Sequence, residues 1–249
     1  MIQKISVLYE DKDIVVINKP PGLVVHSDGR RKEEDITDWM LTRYPQSATV
    51  GEPLKINGSR SIAREIPRPG VVHRLDRETS GVLVLAKNKE AFAALKKQFQ
   101  GREIEKTYHC FVYGVLKDNE GIINLPIGRS RSDFRKRSAE RGARGALREA
   151  TTYFWVLGRG KDATFVEARP KTGRTHQIRV HFKAMDHPIV CDKLYAPKRP
   201  PLLGFKRLAL HAYSLTFRNL ERILVTVTAS HPPDFQSAAR ELGLVHLPP

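Results

Sequence analysis

Residues 81–101 read GVLVLAKNKEAFAALKKQFQG and set the pattern from which the fold can be predicted. Gly81–Lys87 is a short apolar run rich in Val and Leu, which predicts a buried strand. Asn88 follows as a typical helix N-cap, and Gly101 ends the segment that comes after it. The apolar residues of that segment share one helical face, namely Phe92, Leu95 and Phe99. We therefore predict a strand followed directly by an amphipathic helix.

Most segments around this strand and helix alternate in the manner of strands. Two β-rich runs surround the Pro-Pro-Gly turn at 20–22, and the further predicted strands are Thr107–Val115, Thr151–Leu157, Ala163–Ala168, Leu208–Phe217 and Ile223–Ala229. Short helices are predicted at Ile36–Arg43 and after Asp234, the candidate N-cap. Because strands outnumber helices and form hairpins, the predicted class is α+β, with a mixed, mainly antiparallel β-sheet flanked by helices and loops. No repeat or linker appears, so residues 1–249 are predicted to form a single domain.

The composition is strongly basic. The chain has 249 residues, with 43 Lys and Arg against 27 Asp and Glu, and a formal net charge of +16. This excess favours a polyanionic partner, usually nucleic acid; the alternative is a basic enzyme without one. The apolar runs are too short to span a bilayer and no signal peptide is visible, so we expect a cytoplasmic protein without membrane contact. Cys110 and Cys191 lack the spacing of disulfide or zinc motifs, so no metal is expected.

The segment 129–148 is the most basic part of the chain. It holds eight basic and two acidic residues, a local net charge of +6, and almost nothing apolar to bury. Such a charge run is often only a solvated loop. Together with the sign of the whole chain, its density favours a basic loop that contacts the phosphates of RNA or DNA.

The segment HRLDRETSG, residues 73–81, places one carboxylate between two arginines at the end of an apolar strand. Charges in such a place are costly unless they are paired, so a local salt-bridge cluster is one interpretation. A catalytic loop held by a rigid strand is the other.

The segment TGRTHQIRVH, residues 172–181, predicts a helix with Thr175 as its N-cap, continuing until Pro188. Arg174 and the backbone amides near this cap would form a phosphate site. Arg179 lies just off the apolar stripe of the helix and needs a partner. His176 and His181 are five residues apart and do not share a helix face, which argues against a zinc-binding pair.

These segments resemble blocks of the RluA-type pseudouridine synthases. The matching blocks, in the order expected for that family, are INKPPGL (17–23), HRLDRETSGVLVLAK (73–87), EKTYHCFVYG (105–114), TGRTHQIRVHF (172–182), HPIVCDKLY (187–195) and RLALHAYSL (207–215). The resemblance extends from about residue 8 to residue 229. The first block begins too close to Met1 for the N-terminal S4-like RNA-binding domain that many such enzymes carry, so none is expected.

The resemblance implies roles for individual residues. Asp76 stands at the catalytic aspartate, Tyr108 at the active-site tyrosine, and Arg179 at the basic residue that pairs with the aspartate. Arg74 matches the arginine that fills the space left by a flipped base. RNA contacts are expected at Arg74 and at His73, Arg77, Thr79, Arg174, His176, Gln177, Lys19, Arg135, Lys136 and Arg137.

The function implied is that of an RNA pseudouridine synthase, an isomerase that flips a specific uridine out of a structured RNA and needs no cofactor. The RNA is ribosomal or transfer RNA, and the enzyme is expected to act as a monomer. An RNA-binding or RNA-chaperone protein on the same fold is the alternative class. A phosphate-handling enzyme is disfavoured because the sequence has no P-loop and no metal-binding carboxylate cluster.

Overall fold

The computed structural model describes residues 5–27, 33–56, 64–131, 133, 135–139 and 143–244. Its strands are β1 (Ser6–Glu10), β2 (Ile14–Lys19), β3 (Leu54–Ile56), β4 (Arg64–Ile66), β5 (Ser80–Ala86), β6 (Glu105–Tyr113), β7 (Glu120–Asn124), β8 (Ile127–Arg129), β9 (Arg137–Ser138), β10 (Arg144–Arg148), β11 (Thr151–Arg159), β12 (Ala163–Pro170), β13 (Leu210–Arg218) and β14 (Leu224–Thr228). Its α-helices are α1 (Ile36–Arg43), α2 (Lys89–Gly101), α3 (Gln177–Ala184) and α4 (Pro233–Glu241), and Pro45–Thr49 form a 3₁₀ helix. The predicted α+β class is confirmed.

The chain divides into two compact units. Unit 1 comprises Met1–Ile104 and Ser214–Ala229, and unit 2 comprises Glu105–Tyr213 and Ser230–Pro249. The single domain expected over residues 1–249 stays a prediction. In the part of the chain that the structure describes, no helix has the length and apolar character needed to cross a bilayer.

Unit 1 is built on the strand and helix predicted from residues 81–101. Strand β2 pairs antiparallel with β1 on one side and with β5 on the other. All seven residues of β5 are buried. The Asn88 side chain accepts a hydrogen bond from the backbone N–H of Ala91 at 2.9 Å and so caps α2, as predicted. Leu95 of α2 packs in the same core as Val16 and Val84, which explains the alternation of apolar residues in these segments.

Unit 2 is an antiparallel sheet with strand order β6–β12–β11–β7. Its core is aromatic. The rings of Phe111 and Phe165 stack with centroids 4.5 Å apart. Phe235 packs edge-on against Phe111 and Phe205, and the Phe205 ring is tilted against Phe111, all with centroids within 5.4 Å. Phe235 belongs to α4, so the last helix of the chain is tied to the sheet of unit 2 by this cluster.

Several local predictions are corrected. The second run beside the Pro-Pro-Gly turn forms no strand, since residues 20–27 are turns and irregular backbone. Helix α3 is capped by His176 rather than by Thr175, and it ends at Ala184. Helix α4 is capped by Pro232, because a following proline at the first helical position is already in helical geometry; Asp234 lies inside the first turn.

The basic segment 129–148 is more ordered than the predicted loop. Its described residues contribute to a three-stranded antiparallel sheet with strand order β10–β8–β9. The described residues of the segment are exposed or partly exposed, in agreement with its lack of apolar residues.

Candidate functional site

In unit 1, the Asp76 loop (residues 73–79) leads into β5. Leu75 is buried and anchors the loop, whereas Asp76 is partly exposed. The backbone N–H of Thr79 donates to the carbonyl of Asp76 at 3.1 Å, which closes a turn directly behind the carboxylate. A short hydrogen-bonded turn on a buried strand holds a charged side chain at the surface with little freedom.

The side chain of Lys19 holds the backbone of this loop in place. Its side chain is fully buried, and its ammonium group donates to the carbonyls of Pro20, Leu23 and Arg77 at 2.8, 2.8 and 3.0 Å. The backbone N–H of Gly22 donates to the same Arg77 carbonyl. A buried cation must be satisfied in this way. The RNA contact expected at Lys19 stays a prediction that this burial disfavours, because the group has no accessible surface; in the structure the residue holds the Asp76 loop.

The residues beside Asp76 differ in exposure. His73 stacks on Phe99 with ring centroids 4.6 Å apart, and its Nε2 accepts the backbone N–H of Val84 at 3.1 Å. Thr79 is buried, and within the described residues its hydroxyl has no hydrogen-bond partner. RNA contacts at His73 and Thr79 stay predictions. Because Thr79 is buried, little of its surface is accessible to RNA.

Arg74 and Arg77 are the exposed cations of the loop. Arg77 makes a bidentate ion pair with Glu33 at 2.6 and 2.9 Å. The Nη1 atom of Arg74 lies 3.2 Å from Nε2 of His26. Burial, reinforced by the positive charge of Arg74, lowers the pKa of His26, so this imidazole is a neutral acceptor for Arg74.

In unit 2, Tyr108 lies on β6 opposite Ala168 of β12 and packs, half-buried, against the aromatic core. Arg179 lies on α3 and is almost fully buried. It forms a bidentate ion pair with Asp192, from Nε to Oδ2 at 2.7 Å and from Nη2 to Oδ1 at 2.8 Å. The pairing of Arg179 with Asp76 stays a prediction; the bond to Asp192 shows a second carboxylate that orients the guanidinium.

Tyr195 completes the surroundings of Arg179. The Arg179 guanidinium lies 5.0 Å from the centre of the Tyr195 ring, within the range of a cation–π contact. The Tyr195 hydroxyl accepts the backbone N–H of Arg137 at 2.9 Å and lies 2.9 Å from Nδ1 of His176. Asp192 Oδ1 accepts the backbone N–H of Tyr195 at 3.0 Å. One residue thus connects the basic segment, the start of α3 and the buried ion pair.

Two residues at the start of α3, Arg174 before the helix and Gln177 as its first residue, have different roles. Gln177 is buried, and its Oε1 accepts the Thr172 hydroxyl at 2.6 Å and the Arg174 backbone N–H at 3.0 Å. Its amide nitrogen donates to Thr151 and Thr152 at 3.0 Å. The expected RNA contact of Gln177 stays a prediction that these bonds disfavour, since both ends of its carboxamide bind the protein. Arg174 remains partly exposed, with Nε on the carbonyl of Glu149 at 3.1 Å.

Of the three residues predicted to bind RNA in the basic segment, Arg135 is exposed, whereas Lys136 and Arg137 are partly exposed. Arg135 forms a bidentate ion pair with Asp133, with contacts from 2.7 to 3.2 Å. The Arg135 guanidinium lowers the pKa of Asp133 to about 2. Lys136 is partly exposed, and Arg137 lines an open groove. Of these three charges, that of Arg135 is the one already compensated by a neighbour.

Sequence reasoning missed a buried histidine cluster in unit 2. Nδ1 of His109 lies 2.6 Å from Nε2 of His231, and both rings stack on Tyr213. Burial, reinforced by the neighbouring His109 and His211, lowers the pKa of His231 to about 3. The described residues contain no group of three or more His, Cys, Asp or Glu placed to hold a metal ion. The only sequence signal was a histidine on each of two predicted strands, which is too weak to place the cluster.

Sequence reasoning also missed the roles of Asp192 and Tyr195. Both stand in the matched block 187–195, and the expectation that Arg179 needs a partner was the available signal. Sequence spacing did not show which carboxylate would reach it.

The comparisons with known proteins agree with one another. Residues 13–184 match the family model described as RNA pseudouridylate synthase. The chain is 35% identical over 233 residues to an RNA pseudouridine synthase of Synechocystis sp., covering 93% of this chain and 67% of that protein. It is 38% identical over 247 residues to the dual-specificity RNA pseudouridine synthase RluA of Vibrio cholerae, covering 98% and 89%.

A solved structure shows the same fold. It is that of human RNA pseudouridylate synthase domain containing 4, with a TM-score of 0.72, 27% identity, and coverage of 96% of this chain and 93% of that chain. Coverage of the curated relatives varies: the chain spans 67%, 64% and 57% of those from Synechocystis sp., Bacillus subtilis and Aquifex aeolicus.

Proposed function

Because this chain belongs to the RNA pseudouridylate synthase family, whose members are isomerases acting on uridine in RNA, we propose that it converts a specific uridine of a structured RNA to pseudouridine with Asp76 as the essential carboxylate. The observation that carries this proposal is the Asp76 loop. Its carboxylate is partly exposed on a hydrogen-bonded turn, while Leu75 and the buried Lys19 hold the backbone beneath it.

The reaction requires a positioned carboxylate rather than an added reagent. The N1–C1′ bond of uridine breaks, the uracil rotates, a C5–C1′ bond forms, the proton on C5 leaves, and N1 gains a proton, so product and substrate are isomers. Asp76 serves this sequence by attack at C1′, by attack at C6, or by accepting a proton in a glycal route. Tyr108 offers its ring to the uracil and its hydroxyl as a relay for the C5 proton. Arg179 is the proposed cationic partner of Asp76.

The RNA must present its uridine outside the base stack, which costs a few kcal/mol. We assign Arg74 to the space that the flipped base leaves. Arg74 is exposed in the same loop as Asp76, and its guanidinium contacts the neutral His26. Arg77, His176 and Lys136 are assigned as further RNA contacts. A relative from Xylella fastidiosa is named a ribosomal large subunit pseudouridine synthase, which supports ribosomal RNA as the proposed substrate. Transfer RNA is the alternative substrate that we propose. The enzyme acts on its RNA substrate as a cytoplasmic monomer.

The test is the substitution Asp76→Asn, measured by tritium release from RNA that carries 5-tritiated uridine. The amide conserves the shape and removes the negative charge, so we expect activity to fall by about 10³-fold or more while RNA affinity is retained. Asp118→Asn, at an exposed carboxylate of unit 2, is the matched control and should leave the release rate unchanged. Tritium release by Asp76→Asn at the wild-type rate would refute the assignment.

The alternative class has a distinct outcome in the same assay. A wild-type protein that binds RNA and accelerates strand annealing, yet releases no tritium from any uridine-containing RNA tested, would be an RNA chaperone on this fold.

A further inference from the structure

Three arginines of unit 2 stand in one row across the β10–β8–β9 sheet. Arg144 of β10 pairs in register with Arg129 of β8, and Arg129 pairs in register with Arg137 of β9. Directly opposed residues of antiparallel strands point to the same face, with Cβ atoms about 4.5–5.5 Å apart. The arginine row (Arg144, Arg129 and Arg137) therefore places three guanidinium groups side by side on one face of the sheet.

The arginine row forms one wall of an open groove. The groove has a volume of about 530 Å³, and Arg148 and Arg174 join the row in lining it. Arg174 enters from the loop before α3, where its Nε is fixed on the carbonyl of Glu149 and its backbone N–H on Gln177. Among the described residues that line this groove, five are arginine and none is acidic.

This arrangement is unfavourable for folding by itself. Like charges directly opposite one another in a sheet are destabilising, and among the described residues no carboxylate forms an ion pair with any member of the arginine row. Elsewhere in unit 2 surface arginines do have such partners, as Arg135 has Asp133 and Arg169 has Glu167. Among the described residues, therefore, no ion pair compensates the charge of the arginine row.

We propose that this groove binds the phosphodiester backbone of the RNA substrate, with the arginine row and Arg174 as its principal contacts. The inference rests on the proposed function for the identity of the polyanion. Guanidinium groups match phosphate oxygens with paired hydrogen bonds, and backbone contacts orient an RNA without reading its sequence. The groove is open and its walls are charged rather than apolar, which suits a chain of phosphates passing through better than an enclosed metabolite.

The groove also refines the earlier expectation for the basic segment. Arg135 was expected to bind RNA, yet its charge is compensated by Asp133. Arg129 and Arg144, which the sequence analysis did not single out within segment 129–148, form no ion pair among the described residues, and neither does Arg137. RNA affinity should consequently depend on the arginine row more than on Arg135.

The test compares two triple variants in which residues 129, 137 and 144 are all changed, either to Gln or to Lys. Binding of a labelled uridine-containing stem-loop RNA is measured over a salt series. For the Gln variant we expect weaker binding and a slope of log affinity against log salt shallower by about 2 to 3, since each lost phosphate contact removes about 0.7–0.9. The Lys variant keeps the three charges and should keep most of the slope.

A charge-matched control removes three exposed cations from other elements of unit 2, with Lys117, Lys161 and Arg240 each changed to Gln. It should leave both the slope and the rate of tritium release unchanged. If the Gln variant of the arginine row melts as the wild type does and keeps the wild-type slope, the groove does not contact RNA and the inference is overturned. If instead the wild type shows the salt-dependent binding but releases no tritium, the proposed reaction fails while the groove stands.

Discussion

Arg179 and Arg144 both belong to unit 2, yet their charges are balanced in opposite ways. Arg179 is almost fully buried, with Asp192 on its edge and the Tyr195 ring against its face. Arg144 is exposed on a short strand, directly opposite Arg129, and among the described residues it has no carboxylate partner. The buried charge of Arg179 is balanced within unit 2, whereas no carboxylate among the described residues balances the arginine row.

The difference shows how to separate structural charge from functional charge in a basic protein. A buried charge costs several kcal/mol unless it is paired and hydrogen-bonded, so the partners of Arg179 are required by the fold. A row of like charges in water costs far less, but folding gains nothing from it either. The exposed row is therefore better explained by a ligand than by stability.

The largest effect should come from breaking the buried pair. Arg179→Ala leaves the carboxylate of Asp192 buried without the guanidinium that it binds, and Asp192→Asn removes the carboxylate that holds Arg179. We expect each change to lower the free energy of unfolding by about 3–5 kcal/mol. In a protein of this size that corresponds to a melting temperature lower by on the order of 10 °C. Thermal unfolding followed by circular dichroism measures it.

A double variant distinguishes burial from pairing. Arg179→Met with Asp192→Leu removes both charges at once and should regain much of the stability lost by the single variants. Pseudouridine formation should remain impaired, because Arg179 is assigned to the reaction. A melting temperature of Arg179→Ala equal to that of the wild type would mean that the interior does not depend on this pair.

A smaller loss of stability is expected at low pH. Acid protonates buried histidines, whereas the arginines of the arginine row keep their charge. His231 is buried against His109, His211, Tyr213 and Phe235, and its pKa is lowered to about 3. The unfolded chain takes up this proton near pH 6.5, so the stabilisation is complete above that pH and is lost as the pH falls toward 3. One such group accounts for about 2 kcal/mol between pH 7 and pH 5.

The shifts of other buried histidines act in the same direction. Burial also lowers the pKa values of His26 and His181, so both add to the loss of stability in acid. Urea unfolding at pH 7, 6 and 5 should show a falling midpoint, and His231→Phe should make that fall shallower by removing one titrating ring. A midpoint independent of pH over this range would contradict the neutral interior.

The smallest effect is expected at the surface pair Asp133–Arg135. The Arg135 side chain is 65% exposed, so solvent screens this ion pair, and Asp133→Asn should leave the melting temperature unchanged within error. RNA binding should become slightly tighter, because the substitution releases the Arg135 charge beside the groove. Weaker RNA binding by Asp133→Asn would show that Arg135 contacts RNA only when Asp133 holds its side chain in place. The RNA-binding surface would then extend beyond the arginine row.

Much of the local structure could be predicted from the sequence. The strand over 80–86, the helix over 89–101 and its Asn88 cap depend on neighbours within a few residues, and they are observed where the pattern placed them. The N-cap of α4 was wrong because two prolines compete with Asp234, and Asp234 instead bonds Arg207 at 2.7 and 3.0 Å. For the candidate site, the ordered motifs predicted which residues take part. They did not predict which side chains contact one another.

The amino-acid sequence by itself determined the α+β class, the family, the position of the Asp76 loop and the basic character of segment 129–148. These properties follow from periodicity, turn residues and charge, which act over short distances along the chain. Only the tertiary structure decided that Lys19 and Gln177 are internal ties, that Asp192 balances Arg179, and that Arg144, Arg129 and Arg137 form one row. Burial and strand register are set by residues distant in sequence, so no local pattern can assign a partner to a charge.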